Sequence, residues 1–378
     1  MRPDWDIFCN VIDNYGDIGV AWRLARGLAR DGHGTVRLWV DDLASFRRIW
    51  PAIDAHAAEQ VCAGVTIRAW TPPFAATVPA RTVIEAFGCA LPEVYLHEMA
   101  AQSPVPVWIN LEYLSAEPWV AAHHGLPSPH PRLPLTKYFF FPGYTAETGG
   151  LLCEADYAAR QAAFDADAYW RGLGLAPRQP DEWRVSLFAY ENPALPDLLD
   201  AWAGGDRPLC CLVPEGRALP QIATWLGQAS LPVGARHARG ALEVVVLPFT
   251  DQDAYDHLLW ACDLNFVRGE DSCVRAQWAA RPMVWQAYPQ AGAAHWEKLE
   301  ALLAPYLDGA PAAAAEAVAG LWRRWNGVPG APDAAQAWAQ WLAAREAIVR
   351  QAAAWPAALS RAGSLTGKLA DFSENKLK

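Results

Sequence analysis

The stretch VVVLPFTDQDAYDHLLWACDLNFVRGEDSCVRAQWAARPMVWQAYPQ, residues 244–290, indicates the fold class of the chain. Apolar runs end at residues 247, 267 and 286, and helix-like segments separate them. This alternation of strands and helices is typical of a parallel sheet wound with helices. Ligands of such sheets bind at the carboxyl ends of the strands. We therefore expect a ligand at the loop RGEDS, residues 268–272.

The residues of this loop suit a nucleotide diphosphate. Gly269 permits a sharp turn, and Ser272 is predicted to cap the helix that follows. The unpaired N–H groups at a helix start bind anions, and Arg268 and Arg275 would neutralise charge nearby. Glu270 suits neutral hydroxyls, such as those of a ribose. The spacing alone is equally compatible with an ordinary capped helix whose acidic first turn complements the helix dipole.

Length and composition limit the possible classes. A chain of 378 residues exceeds the size at which one core usually divides, so two domains are expected. The net charge of −10 disfavours nucleic acid as a partner. No apolar run approaches the length of a membrane span, and the N-terminus lacks a signal-peptide pattern, so we expect a cytoplasmic protein with no membrane association. The 8 cysteines show no C-x-x-C spacing, which predicts reduced, buried thiols and no metal site.

The N-terminal residues resemble the opening of a nucleotide-binding unit. A strand is predicted at 4–12, followed by the loop DNYGDIG at 13–19, a helix at 20–30 and a strand at 35–40. The loop is not G-x-G-x-x-G, which disfavours NAD. It carries two carboxylates, Asp13 and Asp17, at the carboxyl end of the first strand, where catalysis is favoured. The alternative is that both aspartates cap a turn and a helix.

The rest of the chain predicts a second unit of the same kind. Strands are expected at 81–85 and 105–110, a long loop region at 115–150, a helix at 157–172 and a linker at 175–182. Strands begin again at 183–188, and Tyr190 at that strand end suits stacking on a base. Helices then extend to residue 354, Pro356 interrupts them, and the polar tail 363–378 is expected to fray. The predicted domains are 1–175 and 182–345, with a C-terminal helix and tail at 346–378. The fold class is α/β, with two Rossmann-like doubly wound domains.

The chain resembles the EarP family, the protein-arginine rhamnosyltransferases of bacterial translation elongation factor P. The stretches that carry the resemblance follow the chain in order and span nearly all of it: DNYGDIG at 13–19, NLEYLSAE at 110–117, FFPG at 140–143, TGGLL at 148–152, FAYE at 188–191, PFTDQ at 248–252, RGEDS at 268–272 and YPQ at 288–290. The resemblance implies GT-B glycosyltransferase architecture, with the two domains facing across a cleft. It implies inverting transfer of L-rhamnose from dTDP-L-rhamnose to one arginine of elongation factor P, which activates that factor for ribosome rescue at polyproline stretches. It also implies that no metal or other cofactor is needed.

The resemblance further implies a role for each matching residue. The catalytic carboxylate would be Asp17, with Asp13 beside it. The donor-binding residues would be Phe188, Tyr190 and Gln252 around the thymine, Glu270 at the ribose, and Asp271 and Ser272 at the diphosphate. The acceptor side would include Asn14, Tyr15, Glu112 and Tyr113.

Two other functions remain open from the residues. A GT-B glycosyltransferase with a small-molecule or glycan acceptor would have the same fold and donor site. A non-catalytic, nucleotide-sensing partner of the translation factor would keep the nucleotide site, although it would not need Asp13 and Asp17. Nothing in the residues themselves selects L-rhamnose among dTDP-deoxysugars.

Overall fold

The chain forms two compact α/β units, each built on one sheet. The computed structural model describes residues 4–12 and 15–378. Unit 1 consists of Met1–Tyr157 with Ala358–Lys378, and unit 2 of Ala158–Ala357. Parallel strand pairs dominate both sheets. The prediction of two Rossmann-like doubly wound domains is confirmed.

The strands of the described residues are, in chain order, β1 (Trp5–Cys9), β2 (Val36–Val40), β3 (Glu59–Cys62), β4 (Val65–Ala69), β5 (Thr82–Ala86), β6 (Val107–Leu111), β7 (Pro127–Pro129), β8 (Thr136–Phe140), β9 (Trp183–Leu187), β10 (Leu209–Pro214), β11 (Arg236–Arg239), β12 (Leu242–Leu247), β13 (Leu264–Arg268) and β14 (Met283–Gln286).

The α-helices of the same residues are α1 (Gly16–Arg30), α2 (Leu43–Ile49), α3 (Glu93–Ala100), α4 (Trp119–His123), α5 (Tyr157–Ala162), α6 (Ala166–Gly172), α7 (Leu195–Ala203), α8 (Leu219–Leu226), α9 (Gln252–Ala261), α10 (Asp271–Trp278), α11 (Ala294–Tyr306), α12 (Ala312–Trp325), α13 (Ala334–Leu359) and α14 (Leu365–Leu377). Short 3₁₀ turns occur at Ala291–Ala293 and Ser360–Ala362. None of the described helices combines the length and the apolar character needed to cross a membrane.

The sheet of unit 1 has the strand order β3-β4-β2-β1-β5-β6-β8-β7. The edge strands β3 and β7 are antiparallel to their neighbours, and the inner strands run parallel. Every residue of β1, β5 and β6 is buried, as expected for central strands of a parallel sheet. These three strands are neighbours, so the loops that follow them start at the same edge of the sheet.

The sheet of unit 2 has the strand order β11-β12-β10-β9-β13-β14, with β11 antiparallel to β12. Strand β13 therefore lies between β9 and β14. The carboxyl ends of these three strands lead into residues 188–190, the 268–272 loop and Tyr288. The order of the strands thus brings together three stretches that are far apart in the sequence.

The boundary between the two units lies between Tyr157 and Ala158, before the predicted linker at 175–182. Trp170 and Leu175 are buried in the core of unit 2 with Leu212 and Leu258, so α6 belongs to that unit. The helix predicted over 157–172 is two helices, because Asp165 caps a new helix by accepting a hydrogen bond from the Ala168 N–H at 2.9 Å. The domain limits predicted from the sequence therefore differ from the compact units at this point.

The C-terminal residues are an ordered part of unit 1, so the expectation of a frayed tail is wrong. Ser364 caps α14 by accepting a hydrogen bond from the Gly367 N–H. Leu365 and Leu369 of this helix are buried. The Lys368 ammonium donates to two backbone carbonyls of residues 146 and 148, at 2.7 and 2.6 Å. The predicted interruption at Pro356 is also wrong, since this proline lies inside α13.

The sequence predicted a long loop region at 115–150, and this prediction is wrong. The region contains α4 and the pair β7 and β8, and β8 extends the parallel sheet beside β6. The aromatic stretch Lys137–Phe141 of this region lies almost entirely in strand β8, Thr136–Phe140. Aromatic side chains fit a pleated, half-buried surface, and this preference outweighs the surrounding proline and glycine residues.

Candidate active site

The Asp17 carboxylate is fixed at the carboxyl edge of the unit 1 sheet. Asp17 lies in the first turn of α1 and is 2% exposed. Its Oδ2 accepts a hydrogen bond from the Ile12 N–H at 3.0 Å, and its Oδ1 accepts one from the Tyr113 hydroxyl at 2.9 Å. The positive end of the helix dipole favours a carboxylate at this position. Asp17 is not the N-cap of α1, which is Tyr15.

Three neighbouring strands contribute to this arrangement. The loop after β1 leads to Asp17, Phe87 follows β5, and Tyr113 lies two residues after the end of β6. The rings of Phe87 and Tyr113 stack with centroids 4.4 Å apart and planes 13° apart. A carboxylate, a phenol and a phenyl ring thus form one connected group.

Glu112 lies in a partly buried acidic group next to Tyr113. The Asn110 amide donates a hydrogen bond to the Glu112 carboxylate. Burial raises the pKa of Glu112 above its usual value, while this hydrogen bond and the charge of Lys137 oppose the rise. The Lys137 ammonium also lies 3.3 Å from the carboxylate of Glu85. The group combines two carboxylates, of Glu112 and Glu85, with the ammonium of Lys137. It therefore suits a polar or cationic acceptor side chain.

The structure brings together part of the site predicted in the N-terminal unit. Asp17, Glu112 and Tyr113 lie at one edge of the sheet, and Tyr15 lies at the start of α1. The predicted catalytic residue Asp13 and the predicted acceptor residue Asn14 lie outside the described residues. Phe87 was missed: its position after the predicted strand 81–85 was the available signal, and its partner Tyr113 belongs to a different strand end.

In unit 2, Gly269 makes the turn between β13 and α10. Its φ is 64°, and a Cβ there would lie 3.2 Å from the Tyr190 hydroxyl oxygen. The Trp285 indole donates a hydrogen bond to the Gly269 carbonyl at 2.8 Å. Glycine is therefore suited to this position both by its backbone conformation and by the close approach of the tyrosine.

Helix α10 begins at Asp271, two residues before the start that a cap at Ser272 predicts, and Ser272 is not its cap. The N-cap residue is Glu270, which makes no side-chain capping bond. The Ser272 hydroxyl instead bonds the backbone of Arg268, donating to its carbonyl and accepting from its N–H at 3.2 Å. The serine thereby closes the loop onto the end of β13. The Gln252 amide donates to the Asp271 carboxylate at 3.3 Å, which ties the start of α9 to the start of α10.

The expected role of Arg275 in neutralising a bound anion is wrong. Its side chain is fully buried and forms two hydrogen bonds with Asp256, at 2.8 and 2.6 Å. A guanidinium with this geometry holds two helices together and is shielded from a ligand at the helix start. Of the two arginines that the sequence suggested, Arg268 lies at the loop, over Phe188 and Tyr190.

An aromatic and cationic cluster lies beside the loop. The Arg268 guanidinium carbon is 4.5 Å from the ring centroid of Phe188 and 4.4 Å from that of Tyr190. The Tyr190 N–H donates to the Gln286 side chain at 2.9 Å. Its ring meets Tyr288 edge-on, with centroids 5.4 Å apart. Flat rings, a positive charge and a helix N-terminus are together suited to a nucleotide diphosphate.

The structure brings the predicted donor-binding residues to one edge of the unit 2 sheet. Phe188 and Tyr190 follow β9, Glu270, Asp271 and Ser272 follow β13, and Gln252 opens α9. The sequence prediction left Tyr288 out of this set, although its motif YPQ was among those that carried the resemblance. Within the residues that the structure describes, no three histidine, cysteine, aspartate or glutamate side chains come together as a metal ion would require.

The fold and this site define a class of protein. The glycosyltransferase VinC in complex with dTDP has the same fold, with a TM-score of 0.50 at 13% identity over 98% of this chain and 100% of VinC. The glycosyltransferase of kitacinnamycin aligns with a TM-score of 0.51 at 13% identity over 99% of each chain. The chain therefore shares the GT-B fold of these glycosyltransferases.

The particular family follows from closer relatives. Residues 5–374 match the family described as elongation factor P (EF-P) rhamnosyltransferase EarP. The chain belongs to this family. It is 49% identical to the protein-arginine rhamnosyltransferase of Pseudomonas putida strain KT2440 over 100% of both chains, and 51% identical to that of Pseudomonas aeruginosa strain PAO1 over 85% of this chain and 86% of the relative. A structure solved to explain EarP-mediated arginine glycosylation of EF-P aligns over 99% of both chains at 38% identity, with a TM-score of 0.70.

Proposed function

We propose that this protein transfers L-rhamnose from dTDP-L-rhamnose to one arginine side chain of EF-P, with inversion at the anomeric carbon. The observation that carries the proposal is the family match over residues 5–374. The reaction takes place in the cytoplasm and requires no metal ion, and the modified EF-P acts on ribosomes stalled at polyproline stretches. The compartment, the metal independence and the role of modified EF-P are proposed from the resemblance of the sequence motifs to those of the EarP family.

The donor binds at the carboxyl edge of the unit 2 sheet. Phe188 and Tyr190 provide flat rings for the thymine, and Glu270 accepts hydrogen bonds from the ribose hydroxyls. The diphosphate lies at the start of α10, where backbone N–H groups and the helix dipole stabilise negative charge. Arg268 adds a positive charge over the same rings. This arrangement stabilises the departing dTDP without a divalent ion.

The Asp271 carboxylate is an unsuitable direct partner for a diphosphate because both are negative. Its carboxylate accepts a hydrogen bond from Gln252, which directs that charge towards the α9 start. We therefore assign the contribution of Asp271 and Ser272 at the diphosphate to their backbone N–H groups. The Ser272 hydroxyl is already used in bonding the backbone of Arg268.

The acceptor sets the chemical difficulty of the reaction. The pKa of a free guanidinium is above about 12 and that of a free aspartate is about 4, so full proton transfer before attack is uphill by roughly 11 kcal/mol. An attacking nitrogen must therefore keep its proton until the new bond is forming. In the proposed step the nitrogen forms a C–N bond to the anomeric carbon as the C–O bond to dTDP breaks. dTDP leaves with the electron pair, and the proton passes from the nitrogen to Asp17.

The geometry around Asp17 supports this role. A carboxylate has about four lone-pair sites, so an oxygen that accepts from Tyr113 or Ile12 can also accept from a guanidinium N–H. Bonds to those N–H groups localise a lone pair on the attacking nitrogen. The position of the carboxylate is set by the Tyr113 hydroxyl and the Ile12 N–H, both about 3 Å away. Asp13, in the same loop of the sequence, is proposed to hold the other side of the guanidinium.

The Asp17→Asn variant tests the assignment of the catalytic residue. We expect the turnover of EF-P to fall by about 10³-fold or more, because the amide accepts no proton at neutral pH. The affinity for dTDP, measured by titration calorimetry, should stay within about twofold of the wild-type value. A change of this size is negligible in free energy. Loss of dTDP binding in this variant would contradict the assignment.

A matched control is Asp31→Asn at the other end of the same helix. Asp31 is the C-cap of α1, and its carboxylate accepts a hydrogen bond from Thr366. This variant should keep both turnover and dTDP binding. Two alternative functions predict other outcomes. If the acceptor is a glycan or a small molecule, the donor is turned over without modification of EF-P. If the protein is a nucleotide-sensing partner of the translation factor, the wild-type protein binds dTDP and shows no turnover.

A further inference from the structure

Phe87 holds a backbone conformation that is unfavourable for phenylalanine. Its φ is +56°, and the next residue, Gly88, has a φ of +68°. The turn is held by hydrogen bonds from the Phe87 N–H to the Leu111 carbonyl at 2.7 Å and from the Gly88 N–H to the Asn110 side chain at 3.2 Å. Neither bond involves the phenyl ring. Glycine would satisfy the backbone of position 87 with less strain.

The ring of Phe87 has a specific partner. It stacks almost parallel on Tyr113, with centroids 4.4 Å apart. Tyr113 is 46% exposed. A side chain this open is free to change rotamer unless a neighbour fixes its plane. The half-buried ring of Phe87 provides a flat surface of that kind.

The hydroxyl group of Tyr113 contacts the predicted catalytic carboxylate. The Tyr113 hydroxyl donates to Asp17 Oδ1 at 2.9 Å. The other oxygen, Oδ2, accepts from the Ile12 N–H, which is part of the backbone. Of these two bonds, the one from Tyr113 therefore depends on the orientation of a side chain, and the stack on Phe87 contributes to that orientation.

We propose that Phe87 is a positioning residue, whose ring orients Tyr113 so that the tyrosine hydroxyl holds Asp17 at the angle required for attack by the acceptor arginine. The proposal rests on the role of Asp17 in the proposed function. Strained backbone at a functional site is consistent with a side chain whose orientation is required for function. Phe87 acts through Tyr113 and does not itself contact the reacting atoms.

The test compares four full-length variants: Phe87→Gly, Phe87→Tyr, Tyr113→Phe and the double variant Phe87→Gly with Tyr113→Phe. The measurements are kcat and KM for EF-P at saturating dTDP-L-rhamnose, together with the thermal midpoint. Phe87→Gly relieves the backbone strain, so its midpoint should not fall, while its kcat should fall about tenfold because the attack geometry loosens. Phe87→Tyr keeps a flat ring and should restore kcat.

The double variant separates positioning from other effects. If Phe87 acts through the Tyr113 hydroxyl, the double variant should be no slower than Tyr113→Phe alone, because the two changes remove one interaction. Losses that multiply would overturn the proposal. So would a wild-type kcat in Phe87→Gly, or a change confined to the KM for EF-P, which would mean that the ring contacts the acceptor.

Two further arms keep the test decisive. Should Phe87→Gly not fold, Phe87→Leu keeps apolar volume and removes the flat face, and the same loss of kcat is expected. Failure of the proposed function is a separate result: the wild-type protein would then transfer no rhamnose to EF-P. Active wild-type protein with unaffected Phe87 variants refutes only the positioning role.

Discussion

Arg275 and Asp256 form a bidentate ion pair that joins α9 to α10, with both side chains fully shielded from solvent. Helix α10 begins at Asp271, at the proposed diphosphate site, and α9 begins at Gln252, a proposed thymine contact. The hydrogen bond between Gln252 and Asp271 links the same two helices at their starts. The donor site is thus built on helices that are held together both at its surface and in the core.

Breaking this pair from one side should destabilise the protein strongly. In Asp256→Asn the guanidinium of Arg275 stays buried without its counter-charge, which costs about 3–5 kcal/mol. Chemical denaturation followed by tryptophan fluorescence measures the loss. The matched control is Asp197→Asn, whose pair with Arg324 is largely exposed and should contribute no more than about 1 kcal/mol. Equal effects of the two variants would contradict the structural role of the buried pair.

Arg268 should contribute directly to donor affinity. Replacing it by methionine keeps an unbranched apolar stem but removes the charge over Phe188 and Tyr190. We expect the Kd for dTDP to rise by roughly 10- to 100-fold, since charge-assisted contacts to phosphate are among the stronger ones. Arg217→Met is the control, because Arg217 lies farther from the Tyr190 ring, at 5.9 Å, and its side chain is 47% exposed. A donor affinity that is unchanged in Arg268→Met would remove Arg268 from the site.

Glu112 should make the stability of unit 1 depend on pH. Burial raises the pKa of its carboxyl group in the folded state, so the folded state favours the protonated form. The stabilisation is therefore complete below the unfolded pKa of about 4.3 and is lost as the pH rises through the folded pKa. Glu112→Gln removes this penalty. The free energy of unfolding of the variant, relative to wild type, should increase from pH 4 upwards and then level off.

The same Glu112 variant tests the acceptor side. If the carboxylate contributes to binding the arginine, Glu112→Gln should be at least as stable as wild type at neutral pH and yet have a higher KM for EF-P. A difference in stability that does not change with pH would contradict the proposed burial effect. An unchanged KM would place Glu112 outside the acceptor site.

Local sequence patterns were sufficient to predict the α/β class and the position of Asp17. The strands β12, β13 and β14 are largely apolar, buried runs separated by helical spacing, and the loops that carry the proposed site residues follow the ends of such strands. Gly269 likewise marks its turn in the sequence. These features depend on neighbouring residues, so periodicity and turn chemistry reveal them.

The features that were missed depend on contacts between distant segments. Arg275 has the pattern of a charged residue on an amphipathic helix, and only its partner on α9 shows that it is buried. The stack of Phe87 on Tyr113 joins the ends of two strands. The polar tail became helix α14 because Leu365 and Leu369 are buried in unit 1. No local pattern contains this information.

The most direct measurement is the intact mass of EF-P after incubation with this protein and dTDP-L-rhamnose in the presence of EDTA, with Asp17→Asn as the blank. The proposed function predicts a gain of one deoxyhexose, mapped by fragmentation to a single arginine, and no gain with the variant. Absence of the gain in a protein that still binds dTDP would contradict EF-P as the acceptor. Modification that appears only when a divalent ion is restored would contradict the metal-independent mechanism.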